Sequence, residues 1–424
     1  MESFHSGNFT INIDKEFPSE IIKGSFPLRY GKGSEIKTPE YEFWFNLNGE
    51  IKFIRGLDIN KWRHPAEQLK RTNGNDWVYY SVGDDSSEKG IISWLGEYYL
   101  PCLPYPSNTI WESTNLSNPG MMNALAAWSQ LYGNLHGVQS NALPAKAKEF
   151  IDLVLSNDER VLYGKSLQLN SIIGERISVL PPDTRHVDYE VIPLMISDGC
   201  LYQCEFCCVK SAQHFRTRSK DNIKDQIQQL KAFYGRNLEN YNALFLGNHD
   251  ALAAGEEVIC MAASESIEAF GFGTSSKNAR LFLFGSVDSL LRSGNGLFEK
   301  LSRLPFYTYI NVGFESVDAL TLAYIHKPLE PIKVRQAFRK MLEINSTFAN
   351  IEVTGNFLLG EQLSFDHYQS LTGLVYDIPS PCGKGTVYLS PLKNSPHKRE
   401  LLPKFYEIKD QSRLHTYIYL IQRL

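Results

Sequence analysis

The stretch that decides the fold is Tyr189-Glu190-Val191-Ile192-Pro193-Leu194-Met195-Ile196-Ser197-Asp198-Gly199-Cys200-Leu201-Tyr202-Gln203-Cys204-Glu205-Phe206-Cys207-Cys208. Its first half is an almost unbroken apolar run, which reads as a strand covered on both faces. Its second half sets cysteines in the spacing Cys-x3-Cys-x2-Cys, and Gly199 gives the chain the freedom to turn sharply between the two halves. Three thiolates on one short loop, Cys200, Cys204 and Cys207, can wrap three corners of an iron–sulfur cube. The fourth iron is then left without a protein ligand and open to substrate. The competing reading is zinc on these three and Cys208. Structural zinc, however, wants four closed ligands, usually as two Cys-x2-Cys pairs.

Outward from this loop the pattern becomes regular. Strand candidates lie at 189–197, 242–247, 280–286, 307–314, 351–359 and 386–390, with helical stretches such as 220–234, 256–270 and 332–344 between them. Strand–helix alternation implies parallel strands joined by right-handed crossovers. Six such units predict an α/β fold, a partial (β/α)6 TIM-like barrel, with its chemistry at the strand C-termini. The N-terminal part reads differently. All six tryptophans lie before residue 130. A hairpin is expected where 41–47 and 51–55 flank Asn48-Gly49, the dipeptide of a type I′ turn. A strand is expected at 77–82 and helices at 121–135 and 145–155. The Pro181-Pro182 pair reads as a rigid connector. The expected domains are therefore a Trp-rich α+β unit over 1–182, the barrel over 183–392 and a helical extension over 393–424. The aromatic unit is expected to close one mouth of the barrel or to shape a ligand wall.

Bulk properties narrow the function. The chain has 424 residues, 43% hydrophobic and 21% charged, with a net charge of −4 and a pI near 6.2. This is ordinary globular composition without a global basic footprint, so a nucleic-acid partner is not indicated. No apolar run is long enough for a membrane span. The start, Met1-Glu2-Ser3-Phe4-His5, lacks the basic-then-apolar form of a signal peptide. Four of the seven cysteines fall within nine residues, which fits a metal site in a reducing cytoplasm better than a secreted disulfide framework.

The loop at Cys200, Cys204 and Cys207, with the aromatic Phe206 before the last, resembles the signature of the radical SAM superfamily. In that family it follows the first barrel strand. The resemblance implies a [4Fe–4S] cluster whose fourth iron is chelated by the amino and carboxylate groups of S-adenosylmethionine (SAM). One electron, supplied by a flavodoxin or ferredoxin, cleaves the sulfonium to a 5′-deoxyadenosyl radical that abstracts hydrogen from a substrate, here expected to be a small molecule. Later strand ends extend the resemblance over about 186–392. Gly247-Asn248-His249-Asp250 stands where the family usually has Gly-Gly-Glu, and is similar to the variant in the branch of Elongator-type and coproporphyrinogen-oxidase-type enzymes. Asn248 and Asp250 are the candidates for the SAM amino group, and His249 also fits a hydrogen-bonded loop histidine. Ser286 or Asp288 would face SAM or the substrate, with a helix cap as the alternative for Asp288 or Ser289. Gly313-Phe314-Glu315-Ser316 followed by Lys327 resembles the Gly-x-Glu-Ser…Lys pattern of the same branch. It implies that Glu315 grips the ribose or ammonium of SAM, while Lys327 also reads as a solvated loop charge. The 351–361 strand resembles the element whose backbone, here from Gly355 to Leu358, lies against the adenine. Its second glycine, Gly360, is displaced by one residue from that pattern. Arg218, and Arg216 beside it, could hold a carboxylate or be solvated. Cys382, in the loop before the sixth strand, is a candidate substrate-facing thiol. The scattered Cys102, Cys260 and Cys382 form no second cluster motif. Two alternatives remain open: transfer of a 3-amino-3-carboxypropyl group from SAM, and a non-enzymatic zinc or iron–sulfur module.

Overall fold

The computed structural model of the protein describes residues 2–17, 31–57, 68–75, 77–80, 119–138, 143–177, 179–202, 204–207, 213–273, 278–378, 383–392 and 398–419. Cys102, Cys208 and Cys382 lie outside the described residues, so the expectations placed on them stay as sequence readings.

The N-terminal part is an antiparallel meander. Strands β1 (Glu2–Ser6), β2 (Phe9–Phe17), β3 (Gly31–Lys37), β4 (Tyr41–Phe45), β5 (Ile51–Gly56), β6 (Gln68–Arg71) and β7 (Trp77–Tyr80) pair in chain order. The expected β4–β5 hairpin forms, but its turn is not type I′. Asn46 and Glu50 close a wider turn in which Gly49 alone takes positive φ, 76°, and the register slips between Trp44 and Phe45. The result is the bulged hairpin that a glycine in the left-handed region produces. Helices Pro119–His136 and Ala145–Leu155 cover the sheet, burying Trp128, Leu131, Phe150 and Val154 against Phe43, Phe45 and Ile54.

The second sheet is parallel throughout. Strands β8 (Ile192–Leu194), β11 (Ala243–Leu246), β12 (Arg280–Ser286), β13 (Tyr307–Glu315), β14 (Ile351–Leu359), β15 (Val387–Pro391) and β16 (Thr416–Ile418) lie side by side in that order. Two further short strands, β9 (Ser197–Asp198) and β10 (Arg216–Thr217), pair beyond the end of β8. Each crossover joins neighbouring strands, so the fold is the singly wound α/β arrangement expected. The sheet runs to seven strands rather than six: the region expected as a helical extension carries the helix Leu402–Gln411 and then β16. The sheet also curls. The segment just before β8 reaches across to its far side, where Tyr388 of β15 donates to Asp183 and the Tyr419 hydroxyl donates to the Leu180 carbonyl. The outer face is aromatic and dry, with Phe314 stacked on Phe357 at 5.4 Å and both packed on Phe338 of helix Pro331–Thr347.

The Pro181-Pro182 pair opens a buried 3-10 turn, Pro182–Val187, that plugs the base of the curl. Helix Glu159–Ile173, which sequence periodicity had not marked, ties the two parts together. It buries Leu162 in the N-terminal core and Leu169 and Ile173 in the core of the parallel sheet. The N-terminal sheet itself docks on the base of the parallel sheet. Lys70 Nζ sits 2.9 Å from Asp188 Oδ2 and 3.0 Å from Glu190 Oε1, and Lys52 Nζ is 3.0 Å from Glu190. Asn73 donates to the Tyr241 hydroxyl at 2.7 Å. These partners precede β8 and β11, so the docking is at the strand N-termini, opposite the cysteine loop.

Candidate metal centre

The cysteine loop leaves the C-terminal end of the first parallel strand. Its geometry starts with Gly199 (φ 72°), where an added Cβ would stand 2.5 Å from the carbonyl oxygens of Gln213 and His214. Only glycine allows the returning chain to lie that close, and the bridge between Cys200 and His214 closes the loop on itself. Phe206 and Cys207 pack on the core of the sheet, and Cys204 is buried. Tyr202 fixes the loop from inside: its hydroxyl donates to Asp288 Oδ2 at 2.7 Å, and Lys327 Nζ lies 5.5 Å from its ring centre.

Electrostatically the loop is poor at holding thiolates by itself. Burial pushes the Cys204 thiol up to about 11, with Lys327 opposing and Glu315 adding to the rise. Burial and the nearby Asp250 carboxylate also push Cys200 up. A bound metal supplies the positive charge that such thiols need to ionise. Among the described residues no three His, Cys, Asp or Glu side chains converge as the shell of a single ion. A cube holds its thiolates on separate irons and does not need that convergence.

The neighbouring strand ends carry a set of orphaned polar atoms. Asp250 uses Oδ1 to accept from the Ser289 hydroxyl (2.7 Å) and the Ser286 amide (3.2 Å). Its Oδ2 is buried without a hydrogen-bond partner among the described residues, as are Asn248 Oδ1, Ser197 Oγ and Glu175 Oε1. Burial holds the Asp250 carboxyl above its ordinary range. Unpaired buried polar atoms are costly, and a concentration of them beside one loop marks where a ligand's donors would go. An ammonium and hydroxyl groups are the chemistry that two carboxylate oxygens, an amide oxygen and a hydroxyl suit, so the residues fit an amino-acid-bearing ligand chelating a metal here. Glu175 belongs to the segment following helix Glu159–Ile173. It brings the N-terminal part to this rim, 3.9 Å from His249 Nε2, while Asn248 Nδ2 donates to the Arg176 carbonyl.

Glu315 ends β13 in the left-handed region (φ 66°), an unfavourable conformation for a non-glycine residue. Lys327 is not solvated but buried: its Nζ donates to the Gly313 carbonyl at 2.7 Å and to Glu315 at 3.2 Å. Gly313 makes room for this pair, since a Cβ there would meet Glu315 Oε1 at 2.6 Å. His367, unmarked by any sequence signal, ties the ends of β13 and β14 together. Its Nε2 donates to the Leu358 carbonyl (3.0 Å) and its Nδ1 accepts from Ser316 (2.8 Å).

Several candidates have other work in the fold. Ser286 caps helix Val287–Arg292 in a reciprocal box with Ser289. Arg218 is clamped on Asp198 at 2.6 Å and on the Ile173 carbonyl at 2.6 Å, while Arg216 is exposed. Gly355 opens toward the helix layer, where a Cβ would lie 2.8 Å from the Phe314 ring. Gly247 (φ 86°) makes the turn out of β11, and its amide donates to Leu194. The side chain of Leu358 is buried.

In solved structures the chain is similar in part to a radical SAM methyltransferase from Sphaerobacter thermophilus, at 13% identity and a TM-score of 0.38, covering 54% of this chain and 66% of that one. It is similar also to methylornithine synthase (PylB), at 13% identity and a TM-score of 0.34, covering 55% and 66%. A third is HydG, a maturase of the [FeFe]-hydrogenase, at 13% identity and a TM-score of 0.35, covering 69% and 70%. The chain thus spans just under two thirds of the first two. No family model and no curated protein matches it.

Proposed function

We propose that the protein is a radical SAM enzyme of the Elongator-type and coproporphyrinogen-oxidase-type branch, acting on a small molecule. The observation that carries the reading is the joint placement, at one rim of the parallel sheet, of the Cys200, Cys204 and Cys207 loop and the unpaired oxygens of Asp250, Asn248 and Ser197. A [4Fe–4S] cluster on the three thiolates, reduced by a flavodoxin- or ferredoxin-class donor, supplies the electron that opens SAM to a 5′-deoxyadenosyl radical. Around it, Asp250 and Asn248 receive the amino group, Glu315 receives hydroxyls while Lys327 holds its carboxylate in place, and the buried Tyr202 keeps the loop from shifting. Such a cluster calls for a reducing compartment, and we place the protein in the cytoplasm. No helix among the described residues is long and apolar enough to cross a membrane.

The test is anaerobic reconstitution with iron and sulfide, EPR of the dithionite-reduced protein with and without SAM, and chromatography of the same sample. The expected result is a reduced-cluster signal that SAM perturbs, with 5′-deoxyadenosine formed. Methylthioadenosine in its place would assign 3-amino-3-carboxypropyl transfer. Folded protein that binds zinc but builds no iron-dependent signal would sink the reading.

A further inference from the structure

The end of a helix delivers Lys327 to the cysteine loop. Helix Ala319–Tyr324 stops at Ile325, and His326 takes the left-handed region with φ 52°. The His326 amide donates to the Ala323 carbonyl and the Lys327 amide to the Leu322 carbonyl, the paired bonds of a Schellman cap. Glycine usually fills the left-handed position of such a cap, and an apolar contact from the next residue frequently accompanies it. Here a histidine holds that position and a lysine follows, its side chain only 4% exposed. The His326 ring stands 3.0 Å from the carboxylate of Glu205, the residue between Cys204 and Phe206, so the cap lies against the loop itself.

The buried Lys327 ammonium has two neighbours of opposite consequence. One is the ring of Tyr202, 5.5 Å away, in the stretch between Cys200 and Cys204. The other is the Glu315 carboxylate, 3.2 Å away. Burial pushes the Cys204 thiol up, and Lys327 opposes that rise more strongly than Glu315 adds to it. At Cys200 Lys327 again acts against the rise that burial and Asp250 cause. The charge of one lysine thus reaches two of the three thiols. Away from bulk water such a charge is little screened.

We infer that Lys327 sets the reduction potential of the iron–sulfur centre, with Glu315 as its counterweight. Reduction moves one electron from the flavodoxin- or ferredoxin-class donor to the centre; no bond or proton need move, and the centre becomes more negative by one charge. A fixed cation beside the thiolates stabilises the reduced form more than the oxidised form, and a fixed anion does the opposite. Lys327 therefore raises the potential and eases electron uptake, while Glu315 lowers it. The inference rests on the radical SAM reading for the presence of the cluster, but its readout needs neither SAM nor turnover.

The test is an anaerobic potentiometric titration of the reconstituted full-length protein without SAM, read by EPR of the reduced cluster and scaled to the iron content of each sample. In Lys327→Met the ratio of reduced to oxidised cluster at a fixed solution potential should fall about tenfold, a midpoint lower by about 59 mV. Lys327→Arg keeps the charge and should recover most of the ratio. Glu315→Gln removes the opposing charge and should move the midpoint upward. Opposite signs in the two charge-removing variants separate an electrostatic role from a packing fault. An unmoved midpoint in loaded Lys327→Met, or an equal fall in Lys327→Arg, overturns the inference. Should Lys327→Met build no cluster, Glu315→Gln decides: an upward shift supports the inference, and no shift or a downward one overturns it. Unmodified protein that builds no cluster refutes the radical SAM reading and this inference with it. A cluster whose potential follows these charges but which cleaves no SAM refutes that reading alone.

Discussion

The two ends of the parallel sheet are built on opposite electrostatic principles. At the base, cations meet anions: Lys70 and Lys52 are buried against Asp188 and Glu190, and Arg185 lies over the Tyr388 and Tyr417 rings. At the rim, Asp250, Asn248, Ser197 and Glu175 each leave an oxygen without a partner among the described residues, and Glu315 holds an unfavourable backbone angle. Pairing at the base spends its polar groups on joining the two parts of the chain. At the rim four unpartnered oxygens gather around the cysteine loop, whereas at the base Asp188 Oδ1 and Asn242 Oδ1 stand apart among the docking contacts, also without a partner among the described residues. Asp188 and Tyr189 at the base also take positive φ, 49° and 61°, so what sets the rim apart is the gathering of such features beside the cysteine loop.

The sharpest way to break the comparison is Cys204→Ala. Two thiolates cannot hold a cube securely, so iron content, the reduced EPR signal and SAM cleavage should all be lost while the circular dichroism spectrum is kept. Retention of the cluster would put its ligands elsewhere. At the other end, Lys70→Met leaves Asp188 and Glu190 short of a cation. It should cost about 3–5 kcal/mol in denaturant unfolding, because breaking a buried pair strands a charge. Iron loading of the folded variant should not change; a parallel loss of cluster would mean that the ends are coupled. Asp250→Asn should lower SAM affinity about ten- to a hundredfold, the worth of a charged hydrogen bond of about 1.5–3 kcal/mol, with iron loading intact. Glu315→Gln should cost less than that, because Lys327 already engages its carboxylate. Unchanged SAM affinity in both would return the rim acids to structural duty.

A subtler test uses pH. Burial beside Glu352 pushes the Asp183 carboxyl up to about 7. The folded protein therefore keeps a proton that the unfolded chain releases near the ordinary carboxylate value of about 4. This contribution is complete below that value and is lost as pH rises through 7. Asp183→Asn should flatten the decline in melting temperature between pH 5 and 8, and an unaltered slope would show that Asp183 does not titrate there.

Much of the working end is legible in the sequence. The strands at 280–286 and 351–359 and the helix at 220–234 fall where hydrophobic runs and breaker residues set them, and the cysteine spacing marks the loop outright. What sequence hides is which neighbour consumes a given polar group. Ser286 and Arg218 have the right chemistry for a ligand, but a helix cap and Asp198 take them up. Lys327 reads as a solvated loop charge until the fold buries it against Glu315. Gly355 answers to an aromatic ring packed on the opposite face. His367 stands in no motif, and only the packing of its helix on the ends of β13 and β14 brings Ser316 and the Leu358 carbonyl within reach. At the base, β1 to β3 and β6 escaped notice, because a half-solvated antiparallel sheet lacks the continuous apolar runs that announce a parallel one.

The singly wound order has a consequence for synthesis. Because strands are laid down in the sequence in which they pair, the sheet can grow from β8 onward as the chain emerges from the ribosome, with each new strand docking on a finished edge. Arg185 emerges near the start of that growth, yet one of the two rings that shelter its guanidinium, Tyr417, comes from the last strand, β16. A nascent chain halted before β16 therefore carries in its floor a guanidinium that still lacks one of its two covering rings.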